Sequence, residues 1–172
     1  MKNIFLITVG FVFFNQVCFS AIPQTRVNLK IQAKIEKGCS LTNKEYQLDF
    51  GRHPSVSQEK VTANVINNSS SWNLKCTENM PVNISINGGE NVLTSIRRMK
   101  HLSSSDYINY KLYNSFKLDG EYEIGKVYSL QPTTVDNSIL NFSIYGVADL
   151  SNNNLPREAG IYRDTVSILI AW

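Results

Sequence analysis

The chain has 172 residues, 42% of them hydrophobic and 18% charged, and its 17 Lys and Arg against 14 Asp and Glu give a formal net charge of +3. The charges fall singly between apolar positions, the pattern of solvated strand faces, and form no basic stripe that would argue for nucleic acid as a partner. After the first twenty residues no segment approaches the roughly twenty apolar residues a bilayer span requires, so no transmembrane segment is expected in the mature chain.

The first residues, MKNIFLITVGFVFFNQVCFSAI, place Lys2 before an apolar run from Ile4 to Phe14, with small residues at Cys18 and Ser20 ahead of a cut preceding Ala21. This is the pattern of a secretory signal peptide over residues 1–20. About 150 residues then remain, enough for one domain with its own core. Export also fixes the reading of the cysteines. Cys18 leaves with the signal, and Cys39 and Cys76 are expected to pair as one disulfide in an oxidising compartment. Closing a loop of about 38 residues would stabilise the fold by roughly 4 kcal/mol on the chain-entropy view.

The mature chain opens on TRVNLKIQAKIEKGC, residues 25–39, in which Val27, Leu29, Ile31, Ala33 and Ile35 fall on every second position between polar neighbours. A helix would also align Val27, Ile31 and Ile35, but it would turn Leu29 and Ala33 to the opposite side. A strand gathers all five on one face, and the alternation predicts a strand.

Further period-two segments follow: YQLDFG, VTANVI, WNLKC, PVNISING, YKLYNSF, ILNFSIYGV and DTVSILIAW. Between them lie NNSSS, NGGEN, SSSD and SNNNLPREAG, clusters of turn-forming residues. Many short strands without an amphipathic helix argue for an all-β sandwich or barrel.

In the last segment Val166, Ile168, Ile170 and Trp172 share one face, and the chain stops inside that strand. An immunoglobulin-like sandwich adds a further strand there, so its absence predicts an apolar groove with unpaired backbone groups. A domain short of its last strand, with a spare amphipathic strand at its start, can lend that strand to a neighbour and borrow one in turn. The expected fold is thus an incomplete immunoglobulin-like β-sandwich. Its donor segment is residues 21–37 and its folded domain residues 38–172.

The same residues resemble the spore coat protein U domain family, found in subunits of archaic, Csu-type chaperone-usher pili. The resemblance rests on Cys39 followed by LDFG (Leu48 to Gly51), LKCT around Cys76, INGG (Ile86 to Gly89), YKLY (Tyr110 to Tyr113), IYG (Ile144 to Gly146) and the terminal AGIYRDTVSILIAW. Its most specific element is the order Gly160, Tyr162, Asp164, Val166. The chain departs from the family in reading EYEIG where many members have Trp-Gly, and its spacer NSFKLDG is irregular. The resemblance implies a pilin folded in the periplasm, held by a dedicated periplasmic chaperone, passed to an outer-membrane usher and polymerised with neighbouring pilin subunits into surface fibres for attachment and biofilm growth. Residues 22–35 then resemble the donor strand. Asp164, Val166, Ile168, Ile170 and Trp172 resemble the edge that accepts the chaperone or a donor.

No catalytic, cofactor-binding or metal site is expected. His53 and His101 lie outside any metal-spacing motif, and the serines lack a Gly-x-Ser-x-Gly elbow. Asp49 reads as a turn-closing carboxylate, IRRMK (Ile96 to Lys100) as a solvated loop with a basic patch for anionic surfaces as its alternative, and Trp72 as a core aromatic against the disulfide. Trp172 either fills the groove edge or presents its terminal carboxylate to a chaperone. A secreted coat or binding protein, completed by its own N-terminal strand, would show the same periodicity as a polymerising subunit.

Overall fold

Most of the alternating runs become strands in the computed structural model, which describes residues 28–134 and 137–172. In chain order they are β1 (Cys39–Ser40), β2 (Lys60–Ile66), β3 (Lys75–Cys76), β4 (Val82–Ile86), β5 (Arg97–His101), β6 (Tyr107–Tyr113), β7 (Val127–Leu130), β8 (Ser143–Asp149), β9 (Tyr162–Arg163) and β10 (Ile168–Ala171). The described residues contain no helix. All strand pairs are antiparallel, in a five-stranded sheet ordered β2-β8-β6-β5-β9, a three-stranded sheet ordered β10-β4-β7, and the small pair β1-β3.

Alternation decides what the two larger sheets bury. Ile108, Tyr110 and Leu112 of β6, Ile144 and Ala148 of β8, and Ile84 and Ile86 of β4 belong to one buried cluster with Phe142 and Trp72. Gly146 of β8 sits among them for a steric reason. A Cβ there would come within 2.6 Å of Leu48 and 2.8 Å of Phe50, so the glycine of IYG seats the two apolar residues of LDFG. YQLDFG therefore packs on the core, yet it joins no ladder. Asp49 closes its turn as expected, accepting the Gly51 amide at 2.8 Å.

The expected disulfide is present: Cys39 and Cys76 are bonded and stand opposite each other in the β1-β3 pair. Cys76 belongs to a second buried cluster with Leu74, Met80, Val82 and Leu140. Trp72 is buried as expected but packs elsewhere, stacked on Phe142 at 5.0 Å with Tyr46 edge-on at 6.2 Å. Because the bridge ties the start of the folded domain to β3, Cys39→Ser should lower the stability of the exported chain by roughly 4 kcal/mol. Urea unfolding monitored by tryptophan fluorescence checks this.

One further expectation is corrected. IRRMK is no solvated loop: its Arg97 to Lys100 lie on β5, and Arg97 is only 3% exposed. The alternating N-terminal segment takes no ladder over residues 28–37, because a strand needs a partner to satisfy its backbone groups. The chain divides into a unit Met1–Lys34 and a compact unit Ile35–Trp172. The segment read as a signal peptide and residues 21–27 of the one read as donor lie outside the described residues.

Candidate strand-acceptor edge

The last segment begins in one sheet and ends in the other. Residues 162 and 163 pair with β5 in the five-stranded sheet, and residues 168–171 pair with β4 in the three-stranded one. The motif residues explain how the crossing is fixed. At Gly160 a side chain would collide with the His101 ring, so only glycine allows the backbone so close. Tyr162 then stacks edge-on against His101 at 5.0 Å and donates its hydroxyl to Asp106 at 2.6 Å. Asp164 turns inward, accepting the Tyr110 hydroxyl at 2.6 Å and both the backbone and side-chain amides of Asn91, at 3.1 and 3.0 Å.

INGG supplies the other half of this clamp. Gly89, at φ +81°, lies against the Asp164 carboxylate where a Cβ would overlap it. Asn87 donates its amide to the Ser167 carbonyl at 3.1 Å, and its side-chain oxygen accepts the Ser167 amide at 2.9 Å, continuing the pairing beyond β10. Underneath lies Arg97. Its guanidinium donates to three backbone carbonyls: Nε to Asn87 at 3.0 Å, Nη1 to Tyr122 at 2.7 Å and Nη2 to Ile86 at 3.3 Å. Burial pulls its pKa down, while the negative potential of Tyr110, Glu121, Tyr128 and Asp164 opposes that.

Burial, followed by the hydrogen bond to Asp164, pushes the Tyr110 hydroxyl well above the ordinary tyrosine value. The folded state therefore holds this proton more tightly than the unfolded chain. The stability it contributes is complete below about pH 10 and is lost as pH rises beyond that value. Tyr110→Phe should flatten the alkaline limb of a stability-against-pH curve measured by thermal unfolding.

Beyond the clamp, β10 runs along β4 with Ile168 opposite Ile86 and Ile170 opposite Ile84. The two strands differ in cover. Val82, Ile84 and Ile86 are at most 1% exposed, whereas Val166, Ile168 and Ile170 pack on the same core and remain only half-buried. β4 has a neighbour on each side; β10 is an outer strand, with no second partner among the described residues. Leu169 and Trp172 are largely exposed. Of the residues read as the accepting edge, Val166, Ile168 and Ile170 thus line it, Trp172 stands at its end, and Asp164 serves the clamp with its carboxylate engaged inside the fold.

The described residues of the donor stripe lie in the open. Leu29, Ile31 and Ile35 are 81%, 87% and 94% exposed, and Ala33 is exposed too. The root of this segment is pinned. Gly38 donates to the Thr77 hydroxyl at 3.1 Å and accepts the Thr77 amide at 3.0 Å, next to the disulfide, and the Trp172 indole nitrogen lies 3.6 Å from where a Gly38 side chain would begin. Gly38 thus sits beside the end of β10. Sequence reasoning gave Arg97, Asn87 and Asn91 no role here, although Asn87, Tyr110 and the paired glycines stood in quoted motifs and Arg97 in IRRMK.

The sequence matches the Spore Coat Protein U domain over residues 25–169. The chain belongs to the Spore Coat Protein U domain family. The match takes in the exposed residues 28–37 and ends halfway along β10. Among solved structures, the fold is similar to that in the CsuC-CsuE chaperone-tip adhesion subunit pre-assembly complex from archaic chaperone-usher Csu pili of Acinetobacter baumannii. That likeness has a TM-score of 0.53 at 16% identity over 80% of this chain. It spans 40% of the length of the other chain, so the shared part is the fold of one domain. A chaperone-usher pilus structure described for its rod uncoiling aligns at a TM-score of 0.44 and 10% identity, over 88% of this chain and 98% of that one. No curated protein matches the sequence.

Proposed function

We propose that this Spore Coat Protein U domain is a structural pilin subunit of a chaperone-usher surface pilus, exported through the periplasm and polymerised by donor-strand exchange. The carrying observation is the difference in cover across the β10-β4 pair: the inward residues of β10 stay half-buried where those of β4 are sealed. One more strand along β10 would close that face and satisfy its backbone. The segment read as the donor strand, residues 22–35, offers such a strand, with Leu29, Ile31 and Ile35 exposed.

Before assembly the open edge needs temporary cover, the role of a periplasmic chaperone; an outer-membrane usher then exchanges that cover for a neighbour's donor. A chain of similar fold occurs in a Csu chaperone-tip adhesion subunit pre-assembly complex. The role is structural, supporting adhesion and biofilm growth through the fibre and not through catalysis.

A synthetic peptide of residues 25–36, added to mature chain truncated before residue 36, tests the acceptor half of this reading. The peptide should raise the thermal midpoint of unfolding, and its Leu29→Asp version should not. Equal effects from both peptides would rule out a groove for this stripe.

A further inference from the structure

The outer face of the β5-β9 pair carries an arrangement that strand exchange does not use. Lys100 stands directly opposite Arg163, so both side chains project from one face, and Arg98, two residues before Lys100, shares it. Opposed like charges on neighbouring strands repel. Neither Lys100 nor Arg163 forms a salt bridge among the described residues. Two of the nearby carboxylates are committed elsewhere, Asp164 to Tyr110 and Asn91, and Asp106 to Arg157 and Tyr162. Glu90, exposed on the wall of the shallow cleft that Lys100 and Arg163 also line, offsets one charge.

Arg98 is held in place. Its guanidinium lies over the Tyr107 ring at 4.2 Å while Nε donates to the Asn91 carbonyl at 3.0 Å. At the next step of the same alternation come Leu102 and Ile161, joined by a backbone hydrogen bond of 2.9 Å and exposed by 58% and 55%. Three cations thus stand beside an exposed apolar pair on one sheet face.

We propose that this face docks onto an acidic phospholipid surface. The cations match lipid phosphates and carboxylates, and the apolar pair suits the boundary between headgroups and acyl chains, which a soluble polyanion does not offer. The proposal rests on the β5-β9 face alone and stands whether or not strands are exchanged.

The test is co-sedimentation of the mature chain with vesicles of phosphatidylcholine containing about one third phosphatidylserine. Binding should fall steeply with added salt and be absent on pure phosphatidylcholine. Each cation near such a surface contributes about five-fold in partitioning, so Arg98→Gln/Lys100→Gln/Arg163→Gln should bind about a hundred-fold more weakly. Leu102→Ser/Ile161→Ser should also weaken binding. Lys44→Gln/Lys75→Gln/Lys117→Gln, which removes the same charge elsewhere, should bind as the unaltered chain does, and circular dichroism checks that each variant is folded. Equal losses in both charge triples, no binding to acidic vesicles, or capture by soluble polyphosphate but not by vesicles would each overturn the proposal.

Discussion

Replacing Leu29 or Ile31 with aspartate should abolish fibre formation while leaving the folded subunit and its capture by the chaperone intact. The argument starts from exposure: both side chains are more than four-fifths exposed, so a charge there costs the isolated subunit little. In the fibre the same positions would be buried against Val166, Ile168 and Ile170 of a neighbour. Burying Leu29, Ile31, Ile35 and Val27 contributes about 1.5–3 kcal/mol each, so the stripe supplies roughly 6–12 kcal/mol before ordering costs, comparable to the whole stability of a small domain. An unpaired carboxylate in that interface removes one contribution and adds a desolvation penalty of several kcal/mol. Gln32→Glu, on the polar side of the alternation, should leave fibres unchanged. Electron microscopy of cells beside co-purification with the chaperone checks both. Loss of the folded monomer itself would point instead to a chain completed by its own N-terminal strand.

Arg97→Leu should lower the stability of the subunit by roughly 3–5 kcal/mol, because it strips a charged donor from three carbonyls at once, leaving the Tyr122 oxygen buried without a partner and the Ile86 oxygen with the Gly125 amide alone. Against a typical total of 5–15 kcal/mol this leaves a marginal domain. The effect reaches the acceptor edge. Arg97 holds Asn87, whose backbone and side chain hold Ser167 just before β10. Arg97→Lys keeps the charge but not the planar fork, and should recover only part of the loss. Chemical denaturation of the three proteins measures this, and a difference below about 1 kcal/mol for Arg97→Leu would show that the carbonyls find other partners.

Apolar alternation made the sandwich legible. β4 and β6 were readable because their buried positions are Val, Ile, Leu and Tyr at period two, and β8 because Leu140, Phe142 and Ile144 lead into it at the same period; that pattern also exposed the unmatched stripe at residues 27–35. β5 was not readable. Its inward positions are Arg97, Met99 and His101, and the two polar ones are buried through hydrogen bonds that no hydropathy pattern records. β7 is four residues long and lies beyond the irregular EYEIG stretch. YQLDFG misled in the other direction: Leu48 and Phe50 do point to the core, yet they pack over Gly146 without a ladder, so alternation reported burial and not pairing. At the edge itself, the apolar positions of the last segment read correctly from spacing. The inward engagement of Asp164 depends on Asn91 and Tyr110, 73 and 54 residues away, and could not be seen from its neighbours.

The most direct test is a photo-crosslinking residue in place of Ile31, in fibres grown from a mixture of isotopically heavy and light subunits. Mass spectrometry of the crosslinked peptides should find position 31 joined to residues 166–172, with heavy and light partners mixed, because the donor and its groove belong to different copies. Crosslinks to those residues within a single copy only, or to residues away from β10, would contradict the account.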